Sequence, residues 1–473
     1  MYRLCIAAAG VLALTVLVVT SAQAMPSFTR QTGMSCNQCH FTHDPVPNFT
    51  IQGMKFRSMG YHTPERMTKL RAGSPGAQAG ETLDIPWNDY ISYRFESQIT
   101  SKSWPAGGGN SSELASNPTT RLAWFVTGPV TKHIGFWNEF YIVGNGANNA
   151  VGGSGSGGSA WAPGLVAWDE YDLVWTVNPD AIQQNGDVYS IRFTNQSIKE
   201  TDGFGPGPGG PPSDVGPRGG IGGYDHPPEG GFRITGWMHD RWVWQFGLRT
   251  GDNNSGWTKK MQEYSVAYFL RNTSDDTMVL RMMGQWGNDE IPYVTSTGLQ
   301  SGANQNPLVY TYRDAIPGIT ATRAGSGGAG PYLNTDLDKN VAFDPQFRWQ
   351  RSDVGANGQN SWLFATGFGY GKDTYKDGAS YKQDTFGATF LYCYMHTYCV
   401  EPIYTHYMTS KFQDYTGVNY DIDKADTWQV YMIYQPAMNF AIVGAISTSS
   451  STSLTAPAVT GGHSVSITLD FPM

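Results

Sequence analysis

The chain has 473 residues, with 39 acidic and 31 basic side chains and a formal net charge of −8. Charged residues make up only 15% and aromatic residues 13%, and there are 57 glycines. An acid-leaning, charge-poor chain excludes a nucleic-acid binder driven by counterion release. The aromatic content excludes disorder, and a mean hydropathy of −0.36 excludes a bundle of transmembrane helices. What is left is an all-β protein, with a membrane barrel among the options.

The first 24 residues predict an export signal. Arg3 is the positive start, Leu4 to Thr20 is apolar, and Ala22-Gln23-Ala24 is a cleavage site before Met25. An uncleaved anchor is the alternative, but the apolar run is short for a span. After Met25 no apolar run is long enough to cross a bilayer as a helix. A mature chain in a membrane must then be a closed barrel.

Cys36, Cys39 and His40 form a C-x-x-C-H run, the attachment pattern for haem c. Each thiol adds to one vinyl group, the two-residue gap matches the vinyl separation, and His40 falls beneath the iron as proximal ligand. A redox pair or half of a zinc site are the alternatives. The first needs a βαβ context and the second needs another ligand pair nearby, and neither is seen. Cys393 and Cys399 are expected to pair across a tight hairpin, because export implies an oxidising compartment; two free buried thiols are the alternative. The haem segment runs over 25–85. Phe49, Gly53, Phe56 and Gly60 form one helical stripe between Asn48 and Gly60, and Pro64 follows as a stop. So small a segment has little core for a haem, so it is expected to lean on the rest of the chain.

Residues 86–473 read as a porin-like barrel. Trp242, Trp244, Phe246 and Leu248 alternate with polar residues, as do Tyr264, Val266, Tyr268 and Leu270. About sixteen such strands are predicted near 89–99, 120–128, 133–143, 165–177, 188–197, 231–238, 241–250 and 261–271, and then 278–287, 341–350, 361–371, 385–394, 399–408, 427–435, 438–447 and 463–471. Alternation alone also suits a soluble sandwich. The connections decide for the membrane: long at 101–119, 144–164, 198–230 and 288–340, and tight at Met238 to Asp240, Met395 to Thr397 and Gln435 to Ala437. Long loops on one rim and short turns on the other mark an outer-membrane barrel. Two features fit poorly: Asp169, Glu170 and Asp172 put acids on both parities of one strand, and 351–360 is long for a turn on the short rim. Arg94, Glu96, Arg241 and Arg249 are expected to point inward.

The run from Phe28 to His40, then Pro47 to Gly53 and Phe56 to Tyr61, resembles the outer-membrane fused monohaem cytochrome–porins of iron-oxidising bacteria. The likeness is in motif for the haem segment and in architecture only for the barrel. Phe49 stands where the family tends to have Leu, and Gln52 where it has Phe. The chain ends Phe471-Pro472-Met473 instead of in the usual terminal Phe. The resemblance implies oxidation of extracellular Fe(II) and passage of the electron to a periplasmic carrier, a cytochrome c or a copper protein, with outer-membrane lipid around the barrel and no nucleic acid. Cys36, Cys39 and His40 carry over as the thioether anchors and the proximal ligand. Candidates for the sixth ligand are Met34, His43, Met54, Met59, His62 and Met67. A high-potential haem favours Met, with Met54 and Met59 first, although each is also an ordinary packing residue. A plain porin with a haem plug, a peroxidase-type enzyme and electron transfer from a donor other than iron are the competing readings.

Overall fold

A strand with alternating apolar residues must bury one face, and which face turns inward distinguishes a soluble sheet from a lipid-facing one. The computed structural model describes residues 26–34, 36–40, 49–64, 83, 85–106, 109–143, 166–184, 186–196, 198, 231–250, 260–273, 275–287, 337–354, 360–375, 380–413, 419–421, 424–437, 440–452 and 460–472. The expected export signal and nearly all of the expected 288–340 loop lie outside the described residues.

The first eight strands are β1 (Ile91–Ala106), β2 (Gly109–Pro129), β3 (Ile134–Val143), β4 (Val166–Thr176), β5 (Val188–Thr194), β6 (Gly231–Met238), β7 (Trp242–Thr250) and β8 (Lys260–Asn272). They continue as β9 (Asp276–Gly287), β10 (Leu337–Val354), β11 (Asn360–Tyr375), β12 (Ser380–Tyr394), β13 (Tyr398–Gln413) and β14 (Asn419–Asp421). The last are β15 (Lys424–Ala437), β16 (Phe440–Thr452) and β17 (Thr460–Pro472). Apart from β14, each pairs antiparallel with the strands before and after it around the ring, and β17 pairs with β1 from Arg94↔Pro472 to Ser103↔His463, which closes the ring. β14 is three residues long and continues the β15 edge, since both pair with β13. The ring therefore has sixteen staves, as the alternation predicts.

The polar face is inside. Arg192, Arg233, Gln245, Glu263, Arg281 and Asp344 are buried, while Phe246 is 52% exposed and Leu280 48% on the outer surface. A soluble sandwich would reverse this; an outward apolar surface around a polar interior is the pattern of a transmembrane barrel. Trp175, Trp242, Tyr394, Tyr398 and Tyr434 crowd the outer surface beside the short turns, the aromatic girdle expected where hydrocarbon meets headgroups.

Three expectations change. The stretch 101–119 is not a loop, because β1 and β2 extend together to Ala106↔Gly109. The mixed parity of the acids in β4 has a local cause: the β3–β4 register passes from Glu139↔Glu170 to Phe140↔Trp168, so Asp169 is an extra residue, and a bulge reverses the facing of the residues beyond it. Arg241 lies in the exposed turn after β6, not on an inward-facing strand position.

Cys393 and Cys399 are directly opposed on β12 and β13 and their sulfurs are bonded. Met395 and His396 in the turn between them have φ of 54° and 52°, the left-handed pair of a tight hairpin. Both cysteines face the lumen, in an apolar cluster with Leu363, Leu391, Ile433 and Val443. So short a loop contributes only about 2 kcal/mol through chain entropy. Thiol labelling of the unfolded, unreduced chain is expected to modify neither cysteine, and both after reduction.

Candidate functional site

The segment before the barrel folds as three short helices inside the lumen. They are α1 (Pro26–Thr32), α2 (Cys36–Cys39) and α3 (Ile51–Ser58). Gly33, at φ 74°, ends α1 in the left-handed conformation that suits glycine. The single turn of α2 places Cys36 and Cys39 three residues apart, which is the same side of a helix, and His40 follows at once. The His40 backbone forms a bridge with Phe49, and the two rings lie 4.9 Å apart.

Two residues of α3's first turn hold the C-x-x-C-H turn in place. Thr50 is the N-cap: its hydroxyl accepts from the Gly53 amide at 3.2 Å and donates to the Gln38 carbonyl, and its own amide donates to the Cys39 carbonyl at 2.9 Å. Gly53 lies against that carbonyl so closely that any Cβ would overlap it. Burial, helped by the nearby Arg57 charge, lowers the His40 pKa to about 4. The imidazole is therefore neutral at ordinary pH, the state in which it can ligate iron. Arg57 reaches over the Phe49 and Trp137 rings and donates to Gln196 at 2.7 Å.

The barrel wall grips this plug on many strands. Ser27 bonds Thr127 at 3.0 Å, and Gln31 donates to the Thr127 and Asp89 carbonyls at 2.8 and 2.9 Å. Arg348 donates to the Phe49 carbonyl at 3.1 Å, Arg192 to the Arg57 carbonyl, and Ser190 to the Ser58 carbonyl at 3.2 Å. Arg192 also pairs with Asp172 at 2.6 Å, and Asp172 accepts the Tyr61 hydroxyl at 2.8 Å. Burial and that carboxylate push the Tyr61 pKa well above its ordinary value, so it stays a donor. Phe28, Phe56, Tyr61 and Trp137 stack in one aromatic cluster with Val174.

Among the ligand candidates, Met54 is fully buried against Trp237, Phe269 and other wall residues, with Met59 and Phe49 packed on the same cluster. Phe49 thus stands between Met54 and His40. Met34 packs beside Phe56 and Tyr61. His62 is buried, with its ring nitrogens 2.9 Å from the Met59 carbonyl and 2.8 Å from the Thr131 carbonyl, and burial, the largest influence, lowers its pKa. His43 and Met67 lie outside the described residues. Sequence reading did not find Asp172, Arg192, Arg348 or Gly135 as partners of the segment. The acids in the fourth strand were the only signal of them.

No family model matches this chain, and no curated protein matches it in sequence. Several solved outer-membrane barrels are similar to it in structure. OmpT of Vibrio cholerae, folded in vitro, is 10% identical over 82% of this chain and 100% of its own, with a TM-score of 0.48. OprB of Pseudomonas putida is 9% identical over 81% of this chain and 94% of its own, with a TM-score of 0.47. An anion-selective porin from Comamonas acidovorans is 11% identical over 81% of this chain and 100% of its own, with a TM-score of 0.43.

Gly135 on β3 is where the wall backbone meets the end of α3, since a Cβ there would overlap the Gly60 carbonyl oxygen. Gly135→Ala is expected to displace that end and weaken the Tyr61–Asp172 bond, at a cost of about 1–3 kcal/mol typical of overpacking. Limited proteolysis of the purified chain should then cut within 26–64, while the heat-dependent gel shift of the barrel persists. An unchanged digest would show that this contact does not seat the plug.

Proposed function

We propose that the chain is an outer-membrane electron conduit with one covalent haem c, which takes electrons from extracellular Fe(II) and delivers them to a periplasmic cytochrome c or copper protein. The observation that carries this reading is a C-x-x-C-H turn held inside a membrane-spanning barrel by a segment bonded to at least five strands. The donor set fits the group: two thiol positions on one helical turn and a neutral imidazole directly after them.

Cys36 and Cys39 would hold the haem by thioether bonds and His40 would ligate its iron; when bound, the group supplies a one-electron Fe(III)/Fe(II) couple. The chain's own residues do the rest. Thr50 and Gly53 fix the turn that carries the ligands, Phe49 covers one side of the imidazole, and the stack of Phe28, Phe56, Tyr61 and Trp137 keeps water from that part of the lumen. Tunnelling falls off exponentially with distance, and the hydrocarbon layer of such a barrel is about 25 Å tall. A centre inside the wall shortens both transfers, whereas a centre outside either rim leaves one of them too long. In the net reaction each dissolved Fe(II) becomes Fe(III), and one carrier on the other face gains the electron.

A plain porin is the second reading, favoured by the barrel architecture itself. The lumen argues against it. Arg192–Asp172 at 2.6 Å and Arg233–Glu263 at 2.9 Å are buried ion pairs along the inner wall, and the helices bonded to that wall occupy space that a diffusion channel needs to keep open.

Replacing both Cys36 and Cys39 with Ala is expected to abolish haem staining on a denaturing gel, with the barrel still folded; persistent staining would disprove the attachment. Liposomes carrying the intact chain should show low conductance to ordinary solutes, yet reduce an enclosed cytochrome when Fe(II) is added outside. High conductance without reduction would leave the plain porin.

A further inference from the structure

We propose that the cavity at the short-turn rim between the β6–β7 and β8–β9 turns binds the headgroup phosphate of an anionic phospholipid from the adjoining leaflet. The cavity encloses about 410 Å³ and is lined by Arg241, Arg271, His239, Thr273 and the carboxylates of Asp240 and Asp276, among others. Both of those carboxylates are already occupied. Asp240 takes the Lys55 ammonium of α3 at 2.5 Å and the Trp237 indole N–H at 3.2 Å. Asp276 takes Arg271 and the Trp349 indole N–H, each at 2.9 Å, with Arg351 at 3.9 Å. Two guanidinium groups thus share one carboxylate, and the exposed side chain of Arg241 has no partner among the described residues. The other acids of the rim are also engaged: Asp275 accepts from the Thr273 hydroxyl at 3.0 Å, and Asp187 lies 3.7 Å from the His239 ring. Guanidinium forks match phosphate oxygens bidentately, so an anion is what the Arg241 side chain lacks, with Arg271 beside it.

The surroundings choose the lipid over free phosphate. Arg271 faces Met278 across the β8–β9 register, on the outer side of the sheet. The same outer surface carries Leu270 at 41% and Trp242 at 44% exposure, with Trp242 against Tyr268 and Trp349 against Trp362 at ring distances of 4.5 and 4.7 Å. The cation cluster therefore sits where the apolar belt ends, at headgroup depth. A phosphate held by Arg241 and Arg271 would carry its acyl chains down over Leu270, Leu280 and Trp242. Free phosphate gains nothing from that apolar flank. A zwitterionic headgroup brings an ammonium of its own toward the Arg241 guanidinium.

Native mass spectrometry of the full chain released from detergent micelles tests the site, with phosphatidylglycerol titrated in and phosphatidylcholine as control. One retained phosphatidylglycerol per barrel is expected, with apparent affinity at least tenfold lower for R241Q/R271Q and little retention of phosphatidylcholine. The heat-dependent gel shift establishes that each variant is folded. Arg241→Gln alone, which breaks no ion pair, replaces the double variant if that one does not fold. Equal phosphatidylglycerol retention by a folded variant, or equal phosphatidylcholine retention by the unaltered chain, overturns the proposal. So does inorganic phosphate, if at equal concentration it protects the unaltered chain from thermal unfolding as well as phosphatidylglycerol does, because the site would then be a simple anion site.

Discussion

Inside a hydrocarbon layer no backbone polar group can turn to water, so each must find a partner within the protein. The closed ring of sixteen staves meets this for the strands. It leaves a second problem, because a segment placed in the lumen brings its own carbonyls and amides with it. The wall answers with side chains aimed at backbone: Arg348 to Phe49, Arg192 to Arg57, Ser190 to Ser58, and Gln31 of the segment to Thr127 of the wall. Leaving a buried donor or acceptor unpaired costs about 1–3 kcal/mol each, so these bonds make one seated position of the segment better than any displaced one. Arg192 has the most to hold. It neutralises Asp172, which in turn holds Tyr61 in its left-handed conformation at φ 65°.

The same economy of contacts shapes the C-x-x-C-H turn. The motif specifies a chemistry but not a place, and four residues of helix are far too few to be stable alone. Its position comes from Thr50, which donates to its Gln38 and Cys39 carbonyls, from Gly53, which packs against the Cys39 carbonyl, and from the bridge between His40 and Phe49. Phe49 is then fixed from the other side by Arg348 of β10. The turn is therefore registered to the barrel through Phe49, and Cys36, Cys39 and His40 all stay within the small segment.

Much of this was legible in the sequence. The strand order, the sixteen staves and the outward parity of Trp242, Phe246 and Trp428 follow from period-two alternation, because a lipid-facing strand has one kind of environment on each side along its whole length. The helix at 51–58 was visible in the spacing of Phe49, Gly53 and Phe56. Strand ends were less legible: β1 and β2 run well beyond the membrane-thickness segment, and Ser, Thr and Lys in 100–120 give no apolar alternation to mark the extension. That the segment leans on the barrel was expected, but its individual contacts were marked only by the acids of the fourth strand. The Phe49 carbonyl meets a residue 299 positions away and the Arg57 carbonyl one 135 away. A carbonyl as acceptor leaves no mark on the residue type that bears it, so the segment's half of these two contacts is silent in sequence.

The interior finally sets what this barrel is able to carry. Buried ion pairs such as Arg233–Glu263 are poor sources of stability when compared with apolar packing of equal volume, yet they do not exchange their partners for passing ions without losing several kcal/mol. A plug bonded to such a wall, with its aromatic stack, stands in the way of solutes, whose transit would require those bonds to open and re-form. An electron requires no opening, only that donor and acceptor orbitals lie close enough and stay still. Rigidity is a barrier to the first kind of traffic and an advantage to the second. If the plug carries the haem proposed above, a wall that seats it through backbone bonds from opposite sides would hold that centre still.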